Sequence, residues 1–163
     1  MMKLAFIFTI TLGLTLFGFL GAEADAQILT NNAFILEGSG FAVTEQSIKN
    51  SQIDFGISTS GFIGARTSLT VEDGFITMND DDFVVTSIQG EFLRDARYVR
   101  ISGVADDNGE ELSIRVFGRL IEQSQEASVY SFTGRITHNN IEHKIIYVTK
   151  LSALTAITEP TDA

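Results

Sequence analysis

Apolar and polar residues alternate on both sides of an Asn-Gly pair, and this pattern constrains the fold more than any other feature of the chain. The pair is Asn108-Gly109, and the alternation covers residues 98–105 and 112–121. Asn-Gly favours a type I′ turn, which needs positive φ at both central residues, so the pattern predicts a β-hairpin. One face then carries Val99, Ile101, Gly103, Ala105, Leu112, Ile114, Val116 and Gly118, and the other carries Tyr98, Arg100, Ser102, Arg115, Phe117 and Arg119. A shift of one residue would mix the two sets, so the register is strongly specified.

Similar hairpins are predicted before and after this one. A turn over residues 94–97 places Phe92 opposite Val99. The residues that share the face of Phe92 are then Val84, Ile88 and Gly90. Further along the chain, Asn139-Asn140 connects the alternating residues 130–136 to a last strand over 141–151.

The first half of the chain is predicted to continue the same arrangement. Asp73-Gly74 indicates a hairpin that sets Val71 against Ile76 and Leu69 against Met78. Further strands are predicted over residues 34–43, 51–58 and 62–71, with one helical turn within 44–50 capped by Thr44. The chain is therefore predicted to be all-β, an antiparallel meander of eight or nine strands. It can close as a lipocalin-like up-and-down barrel or fold as a two-sheet sandwich, and the sequential hairpins favour the barrel.

Four glycines lie in the middle of predicted strands, each within an apolar-x-Gly-x-apolar pattern. They are Gly90, Gly103, Gly118 and Gly134. Glycine in a strand allows the sharp curvature that a closing sheet needs, and it also leaves interior space for a ligand. Curvature is the favoured interpretation, because large residues oppose Gly90 and Gly103. If the interior is hollow, the candidate ligand-binding residues are Phe92, Ile101 and Phe132.

The two ends of the chain differ from the predicted barrel domain, residues 27–151. Residues 1–26 carry a basic residue, Lys3, near their start. An uncharged apolar run follows over 4–20, and the segment ends in Ala24-Asp25-Ala26. This order is typical of a helical signal peptide cleaved before Gln27, and the alternative is an uncleaved membrane anchor. Residues 152–163 contain the single proline and are predicted to form a loose tail. The protein is therefore expected to be secreted or held at the cell surface.

Composition and motifs argue against several functions. The net charge of −10 disfavours binding to nucleic acid, and the absence of cysteine means that no disulfide supports the fold. The sequence has no G-x-S-x-G, no H-E-x-x-H and no phosphate-binding loop. We therefore predict a protein that is not an enzyme and uses no cofactor.

Two groups of residues are candidates for binding. The aromatic and arginine side chains of the central hairpin, Tyr98, Arg100, Arg115, Phe117 and Arg119, have the composition of an interaction face. The second group is a candidate cation site. Its candidate ligands are the carboxylates of the central turn, Asp106, Asp107, Glu110 and Glu111, for calcium, and the two histidines, His138 and His143, for a transition metal.

Four stretches resemble small exported proteins of ammonia-oxidising archaea. They are residues 38–44 with 48–55, residues 92–95, and residues 117–121. The resemblance implies an envelope or extracellular setting and no particular activity. The leading hypothesis is thus an exported, non-enzymatic β-barrel module that binds an envelope protein. The alternatives are a lipocalin-like carrier of a small apolar ligand and an extracellular calcium binder.

Overall fold

Eight antiparallel strands close into one barrel in the computed structural model, which describes residues 32–63 and 66–154. The strands are β1 (Ala33–Val43), β2 (Ile48–Ile63), β3 (Arg66–Met78), β4 (Asp81–Leu93), β5 (Tyr98–Asp107), β6 (Glu110–Gln123), β7 (Ala127–His138) and β8 (Ile141–Ala153). Each strand pairs with its sequence neighbours, and β8 pairs with β1. The prediction of a closed meander is confirmed, and the sandwich alternative is not what forms.

The predicted register of the central hairpin is confirmed. Tyr98 pairs with Arg119, and the pairing continues to Asp107 and Glu110. Asn108 and Gly109 form the turn with φ of 51° and 93°, as a type I′ turn requires. The neighbouring hairpins also have the predicted pairing: Phe92 lies opposite Val99 and Ile88 opposite Gly103 on β4 and β5, and Ile136 lies opposite His143 on β7 and β8.

The predicted hairpin at Asp73-Gly74 is wrong, because β3 continues through this pair. Val71 pairs with Ile57 of β2 and with Ile88 of β4 instead of with Ile76. The β2–β3 register shifts between Gly56 and Ile57, so no residue of β2 lies opposite Glu72 in the ladder and the strand bulges. Gly74 has a φ of 137° beside this bulge. A bulge and a tight hairpin both favour glycine at positive φ, and the same sequence signal therefore fits either structure.

Val84 does not share the face of Ile88 and Phe92, which corrects a second prediction. Its side chain is 60% exposed on the outside of the barrel, whereas Phe83 is buried. The β4–β5 register shifts between Val85 and Ser87, which leaves Thr86 unpaired and reverses the alternation at that point. The hydroxyl of Thr86 donates to the carbonyl oxygen of Val104 at 3.0 Å.

Two further local predictions in the first half of the chain are corrected. The predicted helical turn within residues 44–50 does not form, and residues 44–47 make a non-helical turn between β1 and β2. The Thr44 hydroxyl accepts hydrogen bonds from the backbone N–H groups of Gln46 and Ser47 at 3.2 and 3.0 Å. A threonine hydroxyl can accept from backbone N–H groups in a turn as it does at a helix cap. The capping role predicted for Thr44 is therefore present, but in a turn and not at a helix. Residue 62 belongs to the end of β2, and β3 begins at Arg66.

The predicted signal peptide, residues 1–26, lies outside the described residues. At the other end β8 continues to Ala153, and residues 155–163 of the predicted tail are likewise outside the described part. Within the part of the chain that is described, no helix has the length and apolar character needed to cross a membrane.

The inward glycines lie where strand backbones come close together. A Cβ added to Gly134 would lie 2.8 Å from the Cα of Val116 on β6, and one added to Gly90 would lie 3.2 Å from the Cα of Ile101 on β5. At Gly118 the added atom would instead lie 2.6 Å from the ring of Phe132. Three of the four strand glycines thus permit close backbone approach, as curvature requires, and the fourth faces a phenylalanine that occupies the space.

Candidate functional site

The five residues predicted as an interaction face lie together on the outside of β5 and β6, and we call them the basic–aromatic face: Tyr98, Arg100, Arg115, Phe117 and Arg119. The predicted cross-strand pairs are present, with Tyr98 opposite Arg119 and Arg100 opposite Phe117. The three arginines are exposed and Phe117 is 44% exposed. The alternation along the hairpin therefore placed all five correctly.

Aromatic stacking holds the centre of this face in one arrangement. The rings of Tyr98 and Phe117 stack with centroids 5.4 Å apart and an interplanar angle of 25°. The guanidinium of Arg94, in the turn between β4 and β5, lies 5.7 Å from the centroid of the Tyr98 ring. These contacts bury part of Tyr98 and limit the rotamers of both rings, so the face loses little side-chain entropy on binding.

The basic–aromatic face has an excess of positive charge. Arg100 pairs with Glu91 on β4, which also lies 3.6 Å from Arg66. Neither Arg115 nor Arg119 forms an ion pair with any of the described residues. Residues 98–102, 115–119 and 131–135 contain no aspartate or glutamate, although the chain as a whole has 21. A protein of net charge −10 thus has a local cationic surface on three adjacent strands.

A shallow groove of about 420 Å³ adjoins this face. Arg115 on β6 lies directly opposite Arg135 on β7, and both contribute to the groove together with Ser102, Ser113 and Thr137. Arg135 binds Glu142 at 3.0 Å, so one of the two facing cations is neutralised within the protein and the other is not. Like charges directly opposite each other are unfavourable, and an anion near Arg115 would relieve this.

Three apolar residues on the outside of β1 and β8 were not predicted as part of a face. Phe41 lies opposite Ile146, and both are more than half exposed, as is Val148. Thr133 and Ser131 on β7 separate Ile146 and Val148 from Phe117 and Arg119. The sequence does contain a signal for these outward apolar residues, the unbroken apolar run 145–148. Successive residues of a strand point to opposite faces, so some residues of this run must face outward.

The predicted interior residues are buried within a packed region. Phe92, Ile101 and Phe132 have almost no exposed surface. The ring of Phe132 occupies the space in front of Gly118 and lies 6.1 Å from the ring of Tyr130. Side chains therefore fill the barrel around these three residues.

Both histidines lie on the inward face at one end of the barrel, as the predicted register implies. The Nε2 atom of His138 is hydrogen-bonded to the carboxylate of Glu110 at 3.2 Å. The His138 ring lies edge-on to the ring of Phe83, with centroids 4.9 Å apart. His143 is only 4% exposed, and its Nδ1 atom has no hydrogen-bond partner. Burial lowers the pKa of His143, and the nearby charges of Lys49 and His138 lower it further.

The other candidate cation ligands lie around the turn between β5 and β6. Asp106 faces Glu111 across the hairpin. The Asp106 carboxylate accepts a hydrogen bond from the backbone N–H of Gly109 at 2.9 Å, and that of Asp107 accepts one from the Asn108 amide at 2.7 Å. These two carboxylates thus support the turn itself. Among the described residues there is no group of three or more His, Cys, Asp or Glu side chains placed to hold a metal ion.

Comparisons with known proteins find no relative in sequence and a weak likeness in structure. The sequence matches no protein-family model and no curated protein. It is similar to a solved protein from Nitrosomonas europaea, provisionally named AttH, with 8% sequence identity and a TM-score of 0.46. The similarity covers 80% of this chain and 54% of that protein, so the chain spans about half the length of its neighbour.

Proposed function

We propose that this protein is an exported, non-enzymatic binding module and that the basic–aromatic face recognises an acidic segment of an envelope protein. The observation that carries the proposal is the stacked pair Tyr98 and Phe117 with two arginines beside it, Arg115 and Arg119, that form no ion pair with any described residue. Aromatic residues and arginine are the types most often found at the energetic centres of protein interfaces.

Charge selects the partner. An arginine that pairs within its own protein has fewer N–H groups free to bind a partner. An unpaired guanidinium can donate two parallel hydrogen bonds to one carboxylate. Arg115, Phe117 and Arg119 are alternate residues of β6 and therefore share one face, with Phe117 between the two arginines. A partner segment with carboxylates on either side of an apolar residue is complementary to this spacing.

The leader predicted at residues 1–26 supports the setting. A short basic start, an apolar run and a small-x-small end are read by the export machinery, and the product is delivered outside the cytoplasm. The net charge of the chain repels other acidic proteins, so a local cationic face favours the approach of such a partner at that surface.

The test compares two variants of the full chain that change net charge equally. Arg119→Glu reverses a charge within the face, and Lys150→Glu reverses one on β8, outside the face, where Lys150 pairs with Glu37 at 3.6 Å. We expect that proteins retained from envelope extract by the wild type and by Lys150→Glu are retained at least about tenfold less by Arg119→Glu, as for loss of one charged interface contact. Retention should also fall when salt is raised, because exposed charges are screened.

Two outcomes contradict the proposal. One is that the wild type retains no protein above the level of unrelated acidic barrels. The other is that Arg119→Glu and Lys150→Glu retain the same proteins in equal amounts, which would place the contact elsewhere on the molecule.

A further inference from the structure

Three basic residues face inward at the end of the barrel that carries the turns 44–47 and 139–140. Lys49 on β2 has the same strand phase as the buried residues Ser51 and Ile53, and His138 and His143 occupy the inward phase of β7 and β8. All three line one cleft of about 960 Å³. The mouth of a β-barrel is a common position for ligand sites, and this volume lies within the usual range for small molecules.

His143 lacks a partner that its burial demands. The side chain is 4% exposed, and Nδ1 makes no hydrogen bond within the protein. Leaving a buried polar atom unsatisfied costs about 1–3 kcal/mol, so such atoms in native proteins call for an explanation. A ligand in the cleft that His143 lines supplies one.

The charges that line the cleft favour an anion. Lys49 and Lys144 both line it, and neither forms an ion pair with the residues that the structure describes. The carboxylate of Glu142 is bound by Arg135. Glu45 is the other carboxylate of the lining, and it lies on the exposed turn between β1 and β2. Lys144 and Glu142 have the outward phase of β8, so Lys49 is the lysine that faces inward beside His143. The carboxylate of Glu110 also lies at this end, where it is hydrogen-bonded to His138 at 3.2 Å. The positive charge available to a ligand next to His143 is thus that of Lys49.

We propose that the mouth of the barrel binds a small organic carboxylate, whose oxygens accept hydrogen bonds from the ammonium group of Lys49 and the imidazole of His143. This site is separate from the basic–aromatic face, which lies on the outside of β5 and β6. It also differs in chemistry from a carrier of apolar ligands, because the contacts that select the ligand are charged. The lowered pKa of His143 keeps the ring neutral in the empty protein, and a bound anion would raise that pKa.

The test uses succinate as the probe, with succinamide as its uncharged counterpart. The Cε1–H resonance of His143 is followed by NMR in the full chain labelled on histidine and is assigned by its loss in His143→Gln. We expect a saturable shift with succinate at millimolar concentrations and no saturable shift with succinamide.

Variants of the lysines locate the binding group. Lys49→Gln should weaken succinate binding by roughly tenfold or more, the usual effect of losing a charge-assisted hydrogen bond, and Lys49→Arg should restore most of it. Lys150→Gln is the matched control on the outside of the barrel and should bind as the wild type does. Arg119→Glu should also bind succinate normally, which separates this site from the proposed interaction face.

Three results would overturn the assignment. These are no saturable shift with succinate, an equal response to succinamide, or unchanged succinate binding by a folded Lys49→Gln variant. Thermal unfolding of each variant shows whether it is folded before binding is compared.

Discussion

Replacing Gly103 with alanine tests whether the inward glycines exist to let the sheet curve. An added methyl group would overlap the carbonyl oxygen of Ser87 and would lie 2.5 Å from the Cα and 2.9 Å from the Cγ1 of Ile88. Non-bonded carbon atoms prefer separations of about 3.5–4.0 Å, so β4 and β5 would have to move apart by about 1 Å. The atoms in the way are mainly backbone, and a change of rotamer cannot relieve them.

The expected cost follows from these distances. Overpacking of this kind costs about 1–3 kcal/mol and sometimes more, and the loss of glycine's freedom in the unfolded chain offsets about 0.5–1 kcal/mol. We expect the free energy of unfolding to fall by about 2 kcal/mol, which for a domain of this size lowers Tm by roughly 8 °C. A cavity-lining glycine would behave differently, because a methyl group added to open space would leave stability unchanged or raise it.

The assay is urea and thermal unfolding followed by circular dichroism, with Ser102→Ala as the control. Ser102 is the residue before Gly103 on β5, but it is exposed on the outside of the barrel, so its replacement should change stability by less than about 0.5 kcal/mol. If Gly103→Ala is as stable as Ser102→Ala, close approach of β4 and β5 is not the reason for glycine at this position.

Two other predictions concern buried polar groups. Because the pKa of His143 is lowered on folding, the unfolded chain binds more protons just below the ordinary histidine pKa of about 6.5, and Tm should fall as pH decreases from about 7.5 to 5.5. His143→Gln should reduce this dependence, and an identical slope in both proteins would contradict it. Tyr130→Phe should cost about 1–2 kcal/mol in urea unfolding, since it removes the 2.8 Å bond to the buried carbonyl of Ala96. Tyr147→Phe should cost less, because its partner Ser51 still donates to a backbone carbonyl; the reverse order would refute this reasoning.

The sequence was sufficient for the parts of the fold that depend on neighbouring strands. The Asn108-Gly109 turn needs positive φ at both residues, and this requirement together with the alternation left one register for β5 and β6. The position of the basic–aromatic face followed directly, because the face consists of outward residues of that hairpin. The ion pairs around this face were not predictable from alternation, since Glu91 could pair with Arg66 or with Arg100, or could remain hydrated.

The errors came from bulges. One extra residue at Glu72 or Thr86 reverses which side chains face inward, and neither residue type signals it. The Asp73-Gly74 pair beside the first bulge was interpreted as a hairpin turn, and the second bulge caused Val84 to be assigned to the wrong face. The cleft at the barrel mouth could not be predicted for another reason. Lys49 and His143 come together only because β8 closes on β1, and closure is a property of the whole sheet.

The two ends of the barrel are built differently, which bears on where a ligand can enter. At one end the turn over residues 94–97 folds inward, and Ala96 is buried and accepts a hydrogen bond from Tyr130 at 2.8 Å. Arg94, Asp95 and Ala96 all have positive φ, between 52° and 61°, a conformation that costs non-glycine residues about 1 kcal/mol or more each. The burial of Ala96 and its bond to Tyr130 offset part of this cost.

At the opposite end the inward positions of β2, β7 and β8 hold Lys49, His138 and His143, which are harder to bury than the apolar residues of the same phase. Burying such groups without partners opposes folding, so their position at a barrel mouth is expected to serve binding and not stability. The basic–aromatic face lies on the outside of β5 and β6, whereas the cleft at the mouth is lined by the ends of β1, β2, β7 and β8 together with the turns beside them. Substitutions in one are therefore expected to leave the other intact, and the two proposed ligands are not expected to compete.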